Sequence, residues 1–147
     1  MKINRLTLLI VALSTLSACD NKTNIESLLE PPPIINYEYD DIKDITIYWN
    51  NILIQERDSY FVYVFSKTCS HCQEFKNEII KYAIEDHNPI YFVEYNHSIP
   101  IIENRENVIQ KNELDDIGVV GVPSMFEIVD KTIINYYVGA KEIKDVF

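Results

Sequence analysis

Apolar and polar residues change rhythm several times along this chain, and each change marks an element. Ile45, Trp49, Ile52 and Leu53 recur at helical spacing. That predicts a helix capped by Asp44 or Thr46 and ended by Asp58-Ser59. Ser59 to Ser66 is then apolar without alternation, the pattern of a strand buried on both faces. Thr68 offers a cap for a second helix, whose core face holds Phe75, Ile79, Ile80, Ala83 and Ile84. His87-Asn88-Pro89 stops it. Ile90 to Tyr95 reads as another strand, so a helix joins two strands in a right-handed βαβ unit.

The second half is less even. Residues 97–111 mix Pro100, Ile101, Ile102 and Val108 with many polar positions and predict no regular element. Asn112 is placed to cap a short helix from Glu113 to Ile117, with Gly118 as its stop. Ser124 to Val129 and Thr132 to Val138 are strands joined through Asp130-Lys131, a hairpin. Ala140 to Phe147 is a closing helix of about two turns. There is no internal repeat.

The N-terminus follows a different logic. Met1-Lys2-Ile3-Asn4-Arg5 is short and basic, Leu6 to Leu16 is mostly apolar, and Ser17-Ala18 precede Cys19. These are the three regions of a secretory signal, and the apolar part falls short of the roughly 20 residues that span a bilayer. Leu16-Ser17-Ala18-Cys19 resembles a bacterial lipobox, which implies cleavage before Cys19 and a lipid on it. The alternatives are an ordinary signal peptide with a spare cysteine, or a plain N-terminal anchor. Asp20 resembles the inner-membrane retention signal of Gram-negative lipoproteins. The expected organisation is a signal over residues 1–18, a lipidated Cys19 with a flexible tether over 19–44, and one domain over 45–147. The tether carries Pro31-Pro32-Pro33 and Asp40-Asp41 and reaches about 25–30 Å from the membrane. The domain, just over a hundred residues, suffices for a single core.

Charge removes some partners. Of 13 basic and 23 acidic residues, Lys2 and Arg5 leave with the signal, so 11 basic against 23 acidic give the mature chain a net charge of −12. Nucleic acid is repelled, and anionic lipid attracts little of this surface, which leaves anchoring to the lipid.

Three cysteines less Cys19 leave Cys69 and Cys72, in Cys69-Ser70-His71-Cys72 at the junction of strand and helix. Two thiols so spaced at a helix start can close a small disulfide, and the first feels the helix N-terminus, which favours its thiolate. The ring is too small to be much of a structural staple. A closed zinc site wants four ligands, and His71, His87 and His97 lack the spacing, so no metal and no cofactor is expected.

Strand, Cys-x-x-Cys, helix, strand, then Gly118-Val119-Val120-Gly121-Val122-Pro123-Ser124 before a hairpin resembles the thioredoxin superfamily over residues 45–147. The resemblance implies an α/β, thioredoxin-like fold: a central mixed sheet of about four strands flanked by helices. It implies a cis bond before Pro123, facing the cysteines, with the Val122 backbone free to pair with an extended substrate. Cys69 and Cys72 would be catalytic, and Ser70, His71, Val122 and Pro123 would tune the pair or position substrate. The sequence departs from the family at Thr68, where thioredoxin has Trp, and at Tyr63, where it has a buried Asp. Glu94 is a candidate proton relay in place of that Asp, against the alternative of a solvent-facing strand residue. Cys-Pro-His-Cys in bacterial disulfide-forming proteins resembles this pair, so His71 points to oxidation; a reductant fed by a membrane donor is the other direction.

The function expected is therefore a thiol-disulfide oxidoreductase acting on exported protein thiols or disulfides, served by a membrane redox partner. It would be lipid-anchored on the outer side of the cytoplasmic membrane. The alternative is an accessory, chaperone-like lipoprotein that binds one exported peptide.

Overall fold

The computed structural model describes residues 35–85 and 89–147. The signal, Cys19, Asp20 and the three prolines lie outside the described residues, as do His87 and Asn88.

Four strands form one sheet, β1 (Ser59–Phe65), β2 (Ile90–Glu94), β3 (Ser124–Val129) and β4 (Thr132–Val138), in the order β2-β1-β3-β4. β1 pairs parallel with β2 and antiparallel with β3, and β3 pairs antiparallel with β4. Helix α1 (Ser70–Ile84) connects β1 to β2, and the short α2 (Ala140–Lys144) follows β4. This is the thioredoxin-like arrangement. β1 is central, so Tyr60, Val62, Tyr63 and Val64 are fully buried from both sides, which explains a run without alternation. Asp130 and Lys131 turn the β3–β4 hairpin with φ of 48° and 62°, the left-handed pair that matches strand twist.

The two faces are covered differently. On one, α1 lays Cys72, Phe75, Ile79 and Ile80 against Tyr63, Phe65, Phe92 and Met125, joined by Ile143 of α2. Each such side chain contributes about 1.5–3 kcal/mol by leaving water. Ile84, expected on this face, is exposed at the last position of α1. On the other face Tyr60, Val62, Val64, Phe126 and Ile128 are covered by irregular chain carrying Ile52, Leu53, Ile99, Val108, Ile117 and Val119.

Three expectations are corrected. First, no α-helix spans 45–57. A 3-10 helix runs over Tyr39–Ile45, Thr46 bridges to Phe92 beside β2, and a single 3-10 turn covers Trp49–Asn51. The residues that looked like one helical face serve opposite faces of the sheet: Ile45 packs on the α1 side, Trp49, Ile52 and Leu53 on the other. The β-branched run Ile45-Thr46-Ile47 suits extended chain, and Ile47 N–H donates to Phe92 O at 2.8 Å. Thr46 therefore ends a helix instead of starting one, with its Oγ1 donating to Ile42 O at 2.8 Å.

Second, the folded unit begins near residue 35, not 45. Tyr39 and Ile42 are buried, at 6% and 1% exposure, and Tyr39 stacks on Phe65 with centroids 3.9 Å apart. Tyr37 N–H donates to Asn77 Oδ1 at 2.9 Å, and Lys76 pairs with Glu38 at 2.6 Å. Residues 35–44 are part of the domain, strapped to α1.

Third, Gly118 does not stop a helix. The expected Glu113–Ile117 helix is one 3-10 turn, Leu114–Asp116, with Glu113 in the cap position in place of Asn112. Gly118 is required by a close approach: a Cβ there would stand 2.6 Å from Ile102 Cγ2 and 2.7 Å from Pro100 O. Residues 97–111 form a structural layer, burying Ile99 and Val108. They lace to the segment before Pro123 through Val119 N–H to Pro100 O at 2.9 Å and Ile102 N–H to Val119 O at 3.0 Å.

Candidate active site

β1 ends at Phe65, and the chain turns through Ser66-Lys67-Thr68 into α1. Cys69 N–H donates to Ser66 O at 3.2 Å, and the Ser66 and Thr68 hydroxyls are 3.0 Å apart. This tight turn displaces the expected cap by one residue. Cys69, not Thr68, is the N-cap of α1, and its Sγ accepts the Cys72 N–H at 3.3 Å. A sulfur in that position takes up one of the unpaired N–H groups of the first turn.

The two thiols differ in environment. Cys69 is half-buried at the surface, and Cys72 is fully buried. Burial, reinforced by the hydrogen bond with Cys69, pushes the Cys72 thiol up to about 12. Cys72 is held from behind as well: Tyr39 Oη donates to its carbonyl oxygen at 3.0 Å.

Facing Cys69 across a gap is the loop that enters β3. The Val122–Pro123 peptide is cis, and Cys69 Sγ lies 3.5 Å from Val122 O, donating its S–H there. Pro123 is buried and Val122 half-buried. A Cβ on Gly121 would meet nothing within 4 Å, so the loop has open space beside it. The arrangement puts one reachable sulfur, one sheltered sulfur and a stretch of backbone side by side.

No protein-family model matches this sequence, and no curated protein matches it. Solved structures similar to it include thioredoxin f2 of Chlamydomonas reinhardtii, over 69% of this chain and 89% of that one, at 22% identity and a TM-score of 0.45. The long form of spinach chloroplast thioredoxin f is similar over 76% of this chain and 92% of its own, at 16% identity and 0.47. Mitochondrial thioredoxin 3 of Saccharomyces cerevisiae, in oxidized form, follows at 68%, 92%, 18% and 0.44.

The remaining sequence candidates fall around the pair. Ser70 is exposed in the first turn. His71 is exposed, with Nδ1 3.6 Å from Glu74 Oε2 one turn along α1. Glu94 lies at the surface end of β2, its carboxylate 3.2 Å from Lys67 Nζ and half-exposed; among the described residues it makes no hydrogen bond to either cysteine. Lys67 is thereby engaged away from Cys69. Among the described residues no group of three or more His, Cys, Asp or Glu side chains converges as a metal site would.

Tyr63, six residues before Cys69, is fully buried, and its hydroxyl has no hydrogen-bond partner among the described residues. Burial holds both Tyr63 and Tyr39 protonated well above the usual tyrosine range. Tyr39 was missed because it lies in a segment read as tether. Its signal was there in Tyr37-Glu38-Tyr39, aromatic bulk that a solvated linker does not carry. Ser124 and Tyr136, whose hydroxyls meet behind the Val122 loop, were read only as strand residues.

Proposed function

We propose that this chain is an exported thiol-disulfide oxidoreductase that exchanges disulfides with protein substrates through Cys69 and Cys72. What carries this reading is the pairing of an accessible N-cap Cys69, its Sγ 3.5 Å from Val122 O, with a Cys72 sealed behind it.

In the oxidising direction a substrate thiolate attacks Cys69 Sγ of the closed pair. A substrate–Cys69 bond forms, the Cys69–Cys72 bond breaks, and the electron pair leaves on Cys72 Sγ. That sulfur takes a proton, since burial keeps it a thiol at neutral pH. A second substrate thiolate then attacks the substrate sulfur of the mixed disulfide and releases Cys69. The substrate loses two electrons and two protons, and the pair gains them. A membrane protein bearing a disulfide takes them away again. In the reducing direction the same steps run backwards, and a membrane dithiol supplies the electrons. Ser70 and His71 lie between the cysteines and tune the couple; a histidine there favours the reduced form and so oxidation. Substrate backbone pairs with Val122 beside Pro123 as an added strand.

The same proposal places the enzyme on the outer side of the cytoplasmic membrane, anchored by a lipid on Cys19 after removal of residues 1–18. The lipobox-like Leu16-Ser17-Ala18-Cys19 supports it. Cys19→Ala should then move the protein out of the membrane fraction.

The test is Cys72→Ser in the producing cells. Mixed disulfides should accumulate on Cys69, seen as bands on a non-reducing gel that vanish with reductant and in Cys69→Ser. A well-expressed Cys72→Ser protein with no adducts, together with full cellular function in the double serine variant, would favour peptide binding over redox turnover.

A further inference from the structure

The loop opposite Cys69 is held by a closed circuit of hydroxyls. Val120 N–H donates to Tyr136 Oη at 2.8 Å. Tyr136 Oη and Ser124 Oγ are 2.9 Å apart, and Ser124 Oγ donates to Gly121 O. The single hydroxyl proton of Ser124 is spent on Gly121, so the Tyr136 hydroxyl must donate to Ser124 and accept from Val120. The circuit leaves the loop at Val120 and returns to it at Gly121. Ser124 is fully buried and Tyr136 is 5% exposed; Tyr136 stacks on Phe126 with centroids 4.5 Å apart. Every member is satisfied, the condition under which a buried polar network fixes one conformation.

Most of the loop's remaining backbone groups are committed; Val120 O and Gly121 N–H, like Val122 N–H, have no partner among the described residues. Val119 is paired on both sides with Pro100 and Ile102, and Pro123 O accepts from Gly139 N–H at 2.8 Å. Val120 N–H and Gly121 O belong to the hydroxyl circuit. Among the described residues Val122 N–H donates to nothing, and Val122 O is met only by the Cys69 S–H, which is lost once Cys69 enters a mixed disulfide. Val122 thus presents a free donor and a releasable acceptor, the two groups an extended peptide uses for strand pairing.

We infer that Tyr136 and Ser124 are positioning residues, whose hydroxyl circuit orients the Val122 backbone so that substrates with a peptide backbone are aligned on Cys69 and small disulfides gain nothing from it. This rests on the oxidoreductase reading above. Tyr136→Phe keeps the ring on Phe126 and removes the circuit's centre; Ser124→Ala removes its end.

The experiment compares two disulfides with the reduced full-length protein in detergent, taking Cys69→Ser as background. Insulin offers backbone, and hydroxyethyl disulfide has none. For Tyr136→Phe and Ser124→Ala, checked by circular dichroism for native fold, the insulin rate constant should fall about five- to tenfold, the usual worth of a lost hydrogen bond. The hydroxyethyl disulfide rate should stay within about twofold. Ser124→Thr, which keeps the hydroxyl, should retain the insulin rate. An unchanged ratio of the two rates in either folded variant, or an equal fall in both, overturns the inference. A wild-type protein that reacts with neither disulfide overturns the oxidoreductase reading instead.

Discussion

Cys72 donates its backbone N–H to Cys69 Sγ at 3.3 Å while its own sulfur is closed off from solvent. One peptide group thus links a reachable thiol to a protected one. Iodoacetamide at pH 8 should therefore modify Cys69 and spare Cys72, whose thiol burial pushes up to about 12. Peptide mapping by mass spectrometry checks this. Comparable labelling of both in the native state would contradict it.

Tyr39 ties the first described segment to Cys72. Its ring stacks on Phe65, and its hydroxyl holds Cys72 O. Tyr39→Ala should cost about 3 kcal/mol or more, as other buried aromatic truncations do. Tyr39→Phe should cost about 1 kcal/mol. Urea denaturation measures both. A near-neutral Tyr39→Ala would return residues 35–44 to the role of a tether.

That segment also shows where the sequence was legible. The central strand, α1 and the β3–β4 hairpin each carry a local signal: an unbroken apolar run, helical spacing from Phe75 to Ile80, and a two-residue turn. The bounds of the three strands fall within a residue of expectation, and α1 is capped one residue later than expected and ends at Ile84, ahead of the expected stop at His87-Asn88-Pro89. Ile45, Trp49 and Ile52 mislead because spacing alone does not say that Ile45 faces one layer and Trp49 the other; the bridge from Thr46 to Phe92 decides that, and it is a tertiary contact. Cys69 and Cys72 are legible from spacing and context. The Tyr136–Ser124 circuit is not, since twelve residues and a hairpin separate its members.

Alkali should destabilise the fold. Burial raises Cys72 and Tyr39, Tyr60, Tyr63 and Tyr136 above their ordinary values. A raised value means the folded state keeps its proton where the unfolded state has lost it. The stabilisation is therefore full below about pH 8.5 for the thiol and about pH 10 for the phenols. Above those values it is lost at about 1.4 kcal/mol per pH unit for each group, until the folded value is reached. Urea midpoints should hold to pH 8 and fall steeply beyond pH 10. A flat profile to pH 11 would contradict the burial of these hydroxyls.

Gly118 carries the junction between residues 97–111 and the Val122 loop. Gly118→Ala would drive a methyl into Pro100 O and Ile102. Since one of the two contacts is backbone, the site cannot yield cheaply, and a loss of about 1–3 kcal/mol is expected. Thermal or urea unfolding tests it; wild-type stability would show that the layer moves freely from the loop.

The most direct measurement is a redox titration of the purified protein in glutathione buffers of known potential, with each point quenched by alkylation and weighed by mass spectrometry. A reversible two-electron transition confined to Cys69 and Cys72 is predicted, with a midpoint between about −270 mV, which would mark a reductant, and about −120 mV, which would mark an oxidant. Thiols that stay unpaired across the whole range, or a pair that closes and never reopens, would contradict the account.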